Sequence, residues 1–142
     1  MRKTFFTLIL LGASTLWSSS WAADDTLYQA LGGPRGVEAL MADFVPRLKA
    51  DPRIGHFFKD SNVKHLRKQL GDQVCEVSGG PCRLDAPNMK ESHKEMAIGT
   101  GDFNALVEAL QASMAAQGVP FSTQNQLLAR LAPMHRDIVN RP

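Results

Sequence analysis

Cysteine is scarce in this 142-residue chain, which holds only Cys75 and Cys82. Two cysteines cannot frame a disulfide-built miniature fold, and C-x6-C without a second pair lacks zinc-finger spacing. With 11 Gly and 8 Pro, and neither repeats nor low-complexity segments, collagenous and disordered classes are excluded. No run of alternating apolar and polar residues supports a strand. Long apolar stretches are also missing. The longest, Phe5–Leu16, has about twelve residues, well short of the roughly twenty needed to span a bilayer. The length suits one domain.

That apolar stretch follows Arg2 and Lys3 and precedes the small residues Ser20 and Ala22 around Trp21. A basic start, a greasy centre and a small-residue end predict a secretory signal peptide over 1–22, cut near Ala22. The remaining domain is then 23–142, in the periplasm or outside the cell. Cleavage removes Arg2, Lys3 and no acid, so the 16 basic residues fall to match the 14 acidic ones. A neutral mature chain has no charge to steer it to nucleic acid or an anionic membrane. Both tryptophans leave with the leader. In an oxidising compartment, a Cys75–Cys82 disulfide is favoured over two free thiols.

What is present is helical periodicity. A short helix is expected over 26–31, stopped by Gly32-Gly33. A second, over 35–50, carries Val37, Leu40, Met41, Phe44 and Leu48, with Pro46 expected to kink it or end its regular hydrogen bonding early. Ser61-Asn62 caps a third, with Val63, Leu66, Leu70, Val74 and Val77 on one stripe to about Ser78. Pro87 is expected to open a helix holding Met89, His93 and Met96 on one face. A helix over 101–116 should bury Phe103, Leu106, Val107, Leu110 and Met114, closed by Gly118. Ser122 should cap a last helix running through Ile138. The fold class is all-α.

Of four histidines, His56, His65 and His135 have charged or polar neighbours and read as surface or capping residues. His93 projects from an apolar stripe, one turn from Met89 and about one from Met96. By periodicity it is either a core histidine bonded to backbone or the single neutral imidazole that a haem iron requires.

Several motifs fall in one register. Leu27-Tyr28-Gln29-Ala30-Leu31-Gly32-Gly33 is followed by Asp43-Phe44, Ala50-Asp51-Pro52 and Phe57-Phe58. Gly79-Gly80-Pro81, Met89-Lys90-Glu91-Ser92-His93, Phe103 and Leu131-Ala132-Pro133 complete the series. In this order the sequence resembles a group I truncated haemoglobin. The resemblance implies a globin-like sandwich of two helices over two, enclosing a non-covalent haem b (iron protoporphyrin IX). It makes His93 the proximal iron ligand and puts Phe58 on the haem face. Phe44 becomes a pocket wall, and Met89 lines the proximal side. The absence of C-x-x-C-H fits a haem without thioether links.

The chain departs from the family pattern where a gas ligand would bind. Tyr usually follows Phe44; here Val45 does. The facing positions, often Gln, are Leu66 and Leu70, so the distal wall is expected to be aliphatic, with Gln69 and Gln73 beside the stripe and partly turned away. Losing one hydrogen bond to oxygen costs about 1–2 kcal/mol, roughly tenfold in affinity. The resemblance thus implies a monomer that reversibly binds oxygen, NO or CO, served by a redox partner and not inserted in a membrane. Two rivals stand beside it. One is a haem enzyme, an NO dioxygenase or weak peroxidase, for which an aliphatic distal wall offers no acid–base group. The other is a six-coordinate electron carrier using His65 or Lys68.

Overall fold

A computed structural model describes residues 25–141; the expected leader, 1–22, lies outside them. Among the described residues every regular element is helical: α1 (Thr26–Ala30), α2 (Gly33–Ala50), α3 (Val63–Val77), α4 (Met89–His93), α5 (Thr100–Ala116), α6 (Phe121–Leu131) and α7 (His135–Ile138). Short 3-10 turns cover Gly55–Phe57 and Ala132–Met134. Helix α2 packs on α3 and α5, and α6 packs on the same two helices, which gives the expected two pairs laid over each other.

The core sits where α2 crosses its partners. Leu40, Met41, Phe44 and Leu48 of α2 are buried with Val74 of α3, Leu110 and Met114 of α5 and Leu127 of α6. Leu27 and Tyr28 of α1 close one end, and the Tyr28 amide donates to the Ser78 carbonyl at 3.1 Å. Gly118 has φ +70°, the left-handed conformation that ends a helix without a Cβ penalty, as its place after α5 predicts.

Helix α2 runs to Ala50, as expected, with Pro46 inside it, and four other local expectations need correction. The buried Phe44, Val45 and Leu48 hold the last turns in place. Proline leaves the Ala42 carbonyl without its helical donor, and the Arg67 guanidinium approaches that oxygen from α3 at 3.4 Å. The last helix is broken rather than continuous, because Pro133 cannot donate to the turn before it; α6 stops at Leu131 and α7 is a separate turn. Pro120, not Ser122, occupies the N-cap of α6. At α4, the Asn88 side chain accepts the Glu91 amide at 2.9 Å, so Asn88 is the cap and Pro87 precedes it. The helix ends at His93, and Met96 follows in a turn closed by its amide on the His93 carbonyl, 3.1 Å.

The disulfide forms: Cys75 and Cys82 are bonded, with Cα atoms 5.7 Å apart. It ties the C-terminal turn of α3 to the loop that leads to α4. Gly80 lies inside this closure, where a Cβ would stand 2.6 Å from Cys75 Sγ and 2.9 Å from Tyr28 Cδ2, so only glycine fits.

Candidate functional site

Helix α5 serves two surfaces. Its Ala105, Ala109 and Ser113 are buried with Leu110 and Met114, whereas Phe103, Leu106 and Val107 are only half-buried. The expectation of one buried stripe is therefore corrected. The residues left half-buried line a cleft between α3, α4 and α5.

The cleft has two lobes, of about 230 and 330 Å³. Leu70, Gln73, Met89, His93, Phe103, Leu106 and Ile138 line both. Phe58 and Leu66 border the first lobe and Phe44 the second. Six of the seven residues proposed from sequence thus converge here. Val45 does not. Its side chain is 0% exposed and sits in the core, because its position on α2 turns it inward, away from the lining.

His93 is half-buried, and its Nδ1 lies 2.7 Å from the Met89 carbonyl oxygen. A carbonyl only accepts, so Nδ1 carries a proton, and in the neutral ring Nε2 keeps its lone pair. The backbone of α4 therefore selects the tautomer of a ring that borders both lobes. His56 and His65 are exposed; His135 is half-buried, with its ring edge-on to Phe103 at 4.9 Å. Lys68 pairs with Asp72. Neither His65 nor Lys68 reaches the lining.

Helix α3 presents Leu66, Gln69, Leu70 and Gln73 to the first lobe. Gln69 and Gln73 were expected partly outside the stripe, but their spacing of i+3 and i+7 from Leu66 places them on the same face. That spacing was the available signal. The Gln69 amide turns toward the Asp85 carbonyl at 3.4 Å. Gln73 Nε2 lies 3.0 Å from Met134 Sδ and 3.5 Å from Met89 Sδ, both weak acceptors.

Lys49 was not anticipated. Its ammonium donates to the carbonyls of Phe58 (2.7 Å), Lys59 (3.2 Å) and Ser61 (3.2 Å), pinning the turn that delivers Phe58 to the cleft. Beside Phe44, the Arg47 guanidinium holds the Asp43 carboxyl below its ordinary value. Asp102, the one carboxylate on the lining, accepts the Gly99 amide at 2.9 Å and the Arg141 guanidinium at 3.1 Å.

Residues 26–140 match the Bacterial-like globin family. The chain belongs to that family. This globin is 31% identical over 116 residues to the group 1 truncated hemoglobin of Tetrahymena pyriformis, covering 82% of its own length and 96% of the relative's. With the group 1 truncated hemoglobin GlbN of Synechocystis sp. it shares 34% identity over 122 residues, covering 82% and 98% of the two chains. The crystal structure of the T. pyriformis protein in its Fe(III) form superposes with a TM-score of 0.78 at 30% identity, over 81% of this globin and 98% of that chain. The fold is thus the truncated-haemoglobin sandwich. The 2/2 hemoglobin of Synechococcus sp. PCC 7002, solved in the cyanomet state with covalently attached heme, shares the fold at 21% identity and a TM-score of 0.75.

Globin membership implies a haem cofactor, and the residues present fit one. The second lobe, about 330 Å³, falls within the roughly 300–1,000 Å³ of small-molecule and cofactor sites, and the first, about 230 Å³, extends it along shared walls. Their lining is aliphatic, aromatic and thioether, apart from His93, Asn104, Asp102, Ser92 and the two glutamines. One imidazole with a free lone pair is the donor a globin iron takes.

Proposed function

We propose that this globin holds haem b non-covalently, with His93 Nε2 as the residue that would ligate the iron, and reversibly binds a diatomic gas. The observation that carries this reading is the 2.7 Å contact of His93 Nδ1 with the Met89 carbonyl, which leaves the other ring nitrogen for the cleft. Bound there, a ferrous haem would supply an iron with one open position for oxygen, NO or CO.

The chain's own residues do the rest. The Met89 carbonyl orients the imidazole and raises its basicity. Phe58 and Phe103 offer flat apolar faces, and the aliphatic and thioether lining excludes water. Leu66 and Leu70 provide no proton or hydrogen bond to a gas, so oxygen gains little there over CO or NO. The Gln69 and Gln73 amides are not acid–base groups, so no side chain that α3 presents to the cleft is a general acid, which favours binding over peroxide chemistry. Both cysteines are used in the disulfide and no C-x-x-C-H exists, which supports a haem without thioether links.

The reading includes export by a leader at 1–22. The disulfide supports it, since such bonds persist in oxidising compartments. It also includes a monomer: among the described residues the only large exposed apolar side chains are Val63 at 40% and Phe121 at 72%, and isolated ones are ordinary. Outside the cytosol, a redox partner would set the balance between ferrous and ferric states.

The test is the spectrum of the mature protein, ferric, ferrous and CO-bound, for wild type and His93→Gly. Wild type should take up one haem and give a five-coordinate ferrous form that shifts with CO. His93→Gly should lose tight uptake and regain it with added imidazole. Unchanged uptake and colour in the variant would refute the assignment.

A further inference from the structure

We propose that Asn140 is a positioning residue for His93, fixing the helix that carries the imidazole by clasping it to the C-terminal segment. The inference rests on His93 being the iron ligand, and it concerns how that ligand is held. Helix α4 has five residues, too few to be stable alone. The Met89 contact fixes the ring relative to its own helix. It does not fix the helix relative to the cleft.

The Asn140 amide does. Its Nδ2 donates to the His93 carbonyl at the end of α4, and its Oδ1 accepts the Ile98 amide at 2.9 Å. The backbone amides of Asn140 and Arg141 both donate to the Ile98 carbonyl, each at 3.0 Å. Ile98 is buried, with both its backbone groups held by the C-terminal segment. The Arg141 guanidinium continues the clasp to Asp102, whose carboxylate also accepts the Gly99 amide.

A second observation points the same way. Ala97, between His93 and Ile98, has φ +51°, the one non-glycine residue in the left-handed region among those described. An L side chain avoids that region, and such a conformation persists only where the surroundings over-determine it. The bonds to Ile98 are what hold it. The segment from His93 to Ile98 is therefore bent against its own preference and latched by a residue 47 positions from His93. Releasing the latch lets the segment relax and carries α4, with the imidazole, away from its set position.

The experiment uses the full mature globin loaded with haem, in wild type, Asn140→Leu and Asn140→Asp. Leu removes both side-chain bonds at similar volume. Asp keeps an oxygen for the Ile98 amide but replaces the donor to His93 with a carboxylate. Resonance Raman of the ferrous form reads the iron–imidazole stretching band, which reports the proximal geometry and not overall stability. Both variants should shift or broaden that band and release haem at least about fivefold faster. In the haem-free protein, hydrogen exchange at the Ile98 amide should accelerate more than tenfold in Asn140→Leu and less in Asn140→Asp. An unmoved band with haem release within twofold of wild type in whichever variant folds overturns the proposal, even if melting temperature falls. The two readings fail separately. If His93→Gly abolishes uptake while the Asn140 band stays unmoved, the positioning role alone is lost. If His93→Gly leaves uptake intact, the ligand assignment fails and takes the clasp's purpose with it.

Discussion

Removing the Cys75–Cys82 bond by Cys82→Ala should loosen both the fold and the cofactor cleft, by amounts the structure makes calculable. The bond closes a short loop, with a sequence separation of 7. In the chain-entropy account, a loop of about eight residues contributes roughly 2.5 kcal/mol by restricting the unfolded chain. Little else is lost at this position. Cys82 is half-buried, and Cys75, 2% exposed, keeps its burial as a small apolar thiol against Tyr28 and Gly80. For a domain of this size, that loss corresponds to a fall in melting temperature of about 10 °C. The same loop carries Leu84 and Ala86 to the first lobe of the cleft, so haem release should quicken in the variant even at temperatures where the fold is intact. The assay is urea unfolding of the haem-free protein, oxidised and with dithiothreitol, beside Cys82→Ala. Reduced wild type and the variant should agree, both less stable than the oxidised protein, with the urea dependence slightly steeper because the unfolded chain expands further. Equal midpoints for oxidised and reduced protein would refute the reasoning, since the loop entropy would then have no weight.

Replacing Leu70, which borders both lobes, with Gln should place a donor beside the gas and slow oxygen dissociation about three- to tenfold, from one hydrogen bond of roughly 1 kcal/mol; CO dissociation should change much less, and equal slowing of both gases in stopped flow would contradict an aliphatic distal wall. Lys49→Met removes an ammonium from three carbonyls and should cost about 2 kcal/mol in urea unfolding, with no loss pointing to water taking its place. Arg47 holds Asp43, and Arg53 holds Asp51, below the ordinary carboxyl range. Because each folded-state pKa lies below the unfolded one near 3.9, the stability each pair adds is present above about pH 4 and disappears as pH falls through the folded value. Asp43→Asn should accordingly be less stable than wild type at pH 6, with the gap closing toward pH 2, and a gap that widens on acidification would reverse the sign.

The chain alone determined what depends on near neighbours in sequence. Helical periodicity, Asn62 as the cap of α3 (its Oδ1 accepts the His65 amide at 3.0 Å) and glycine at the end of α5 are local matters of backbone geometry, and each is found where expected. The motif series around His93 made the globin sandwich legible, because those residues follow one another at fixed spacing. Even Gln69 and Gln73 were readable, had the i, i+3, i+4, i+7 face been counted out from Leu66. The tertiary structure decided what depends on partners far away in the chain. Periodicity places Val45, Phe103 and Val107 on helices, but only packing sends the first into the core and leaves the others on a cleft. Pro46 stays within α2 because buried neighbours hold the turn, whereas Pro133 breaks the last helix, where the side chains of α7 are at most half-buried and hold no such turn. Lys49 on its three carbonyls, and Asn140 on His93, bridge 9 to 47 positions of sequence; no local pattern encodes such contacts, since they exist only once the chain has folded back on itself.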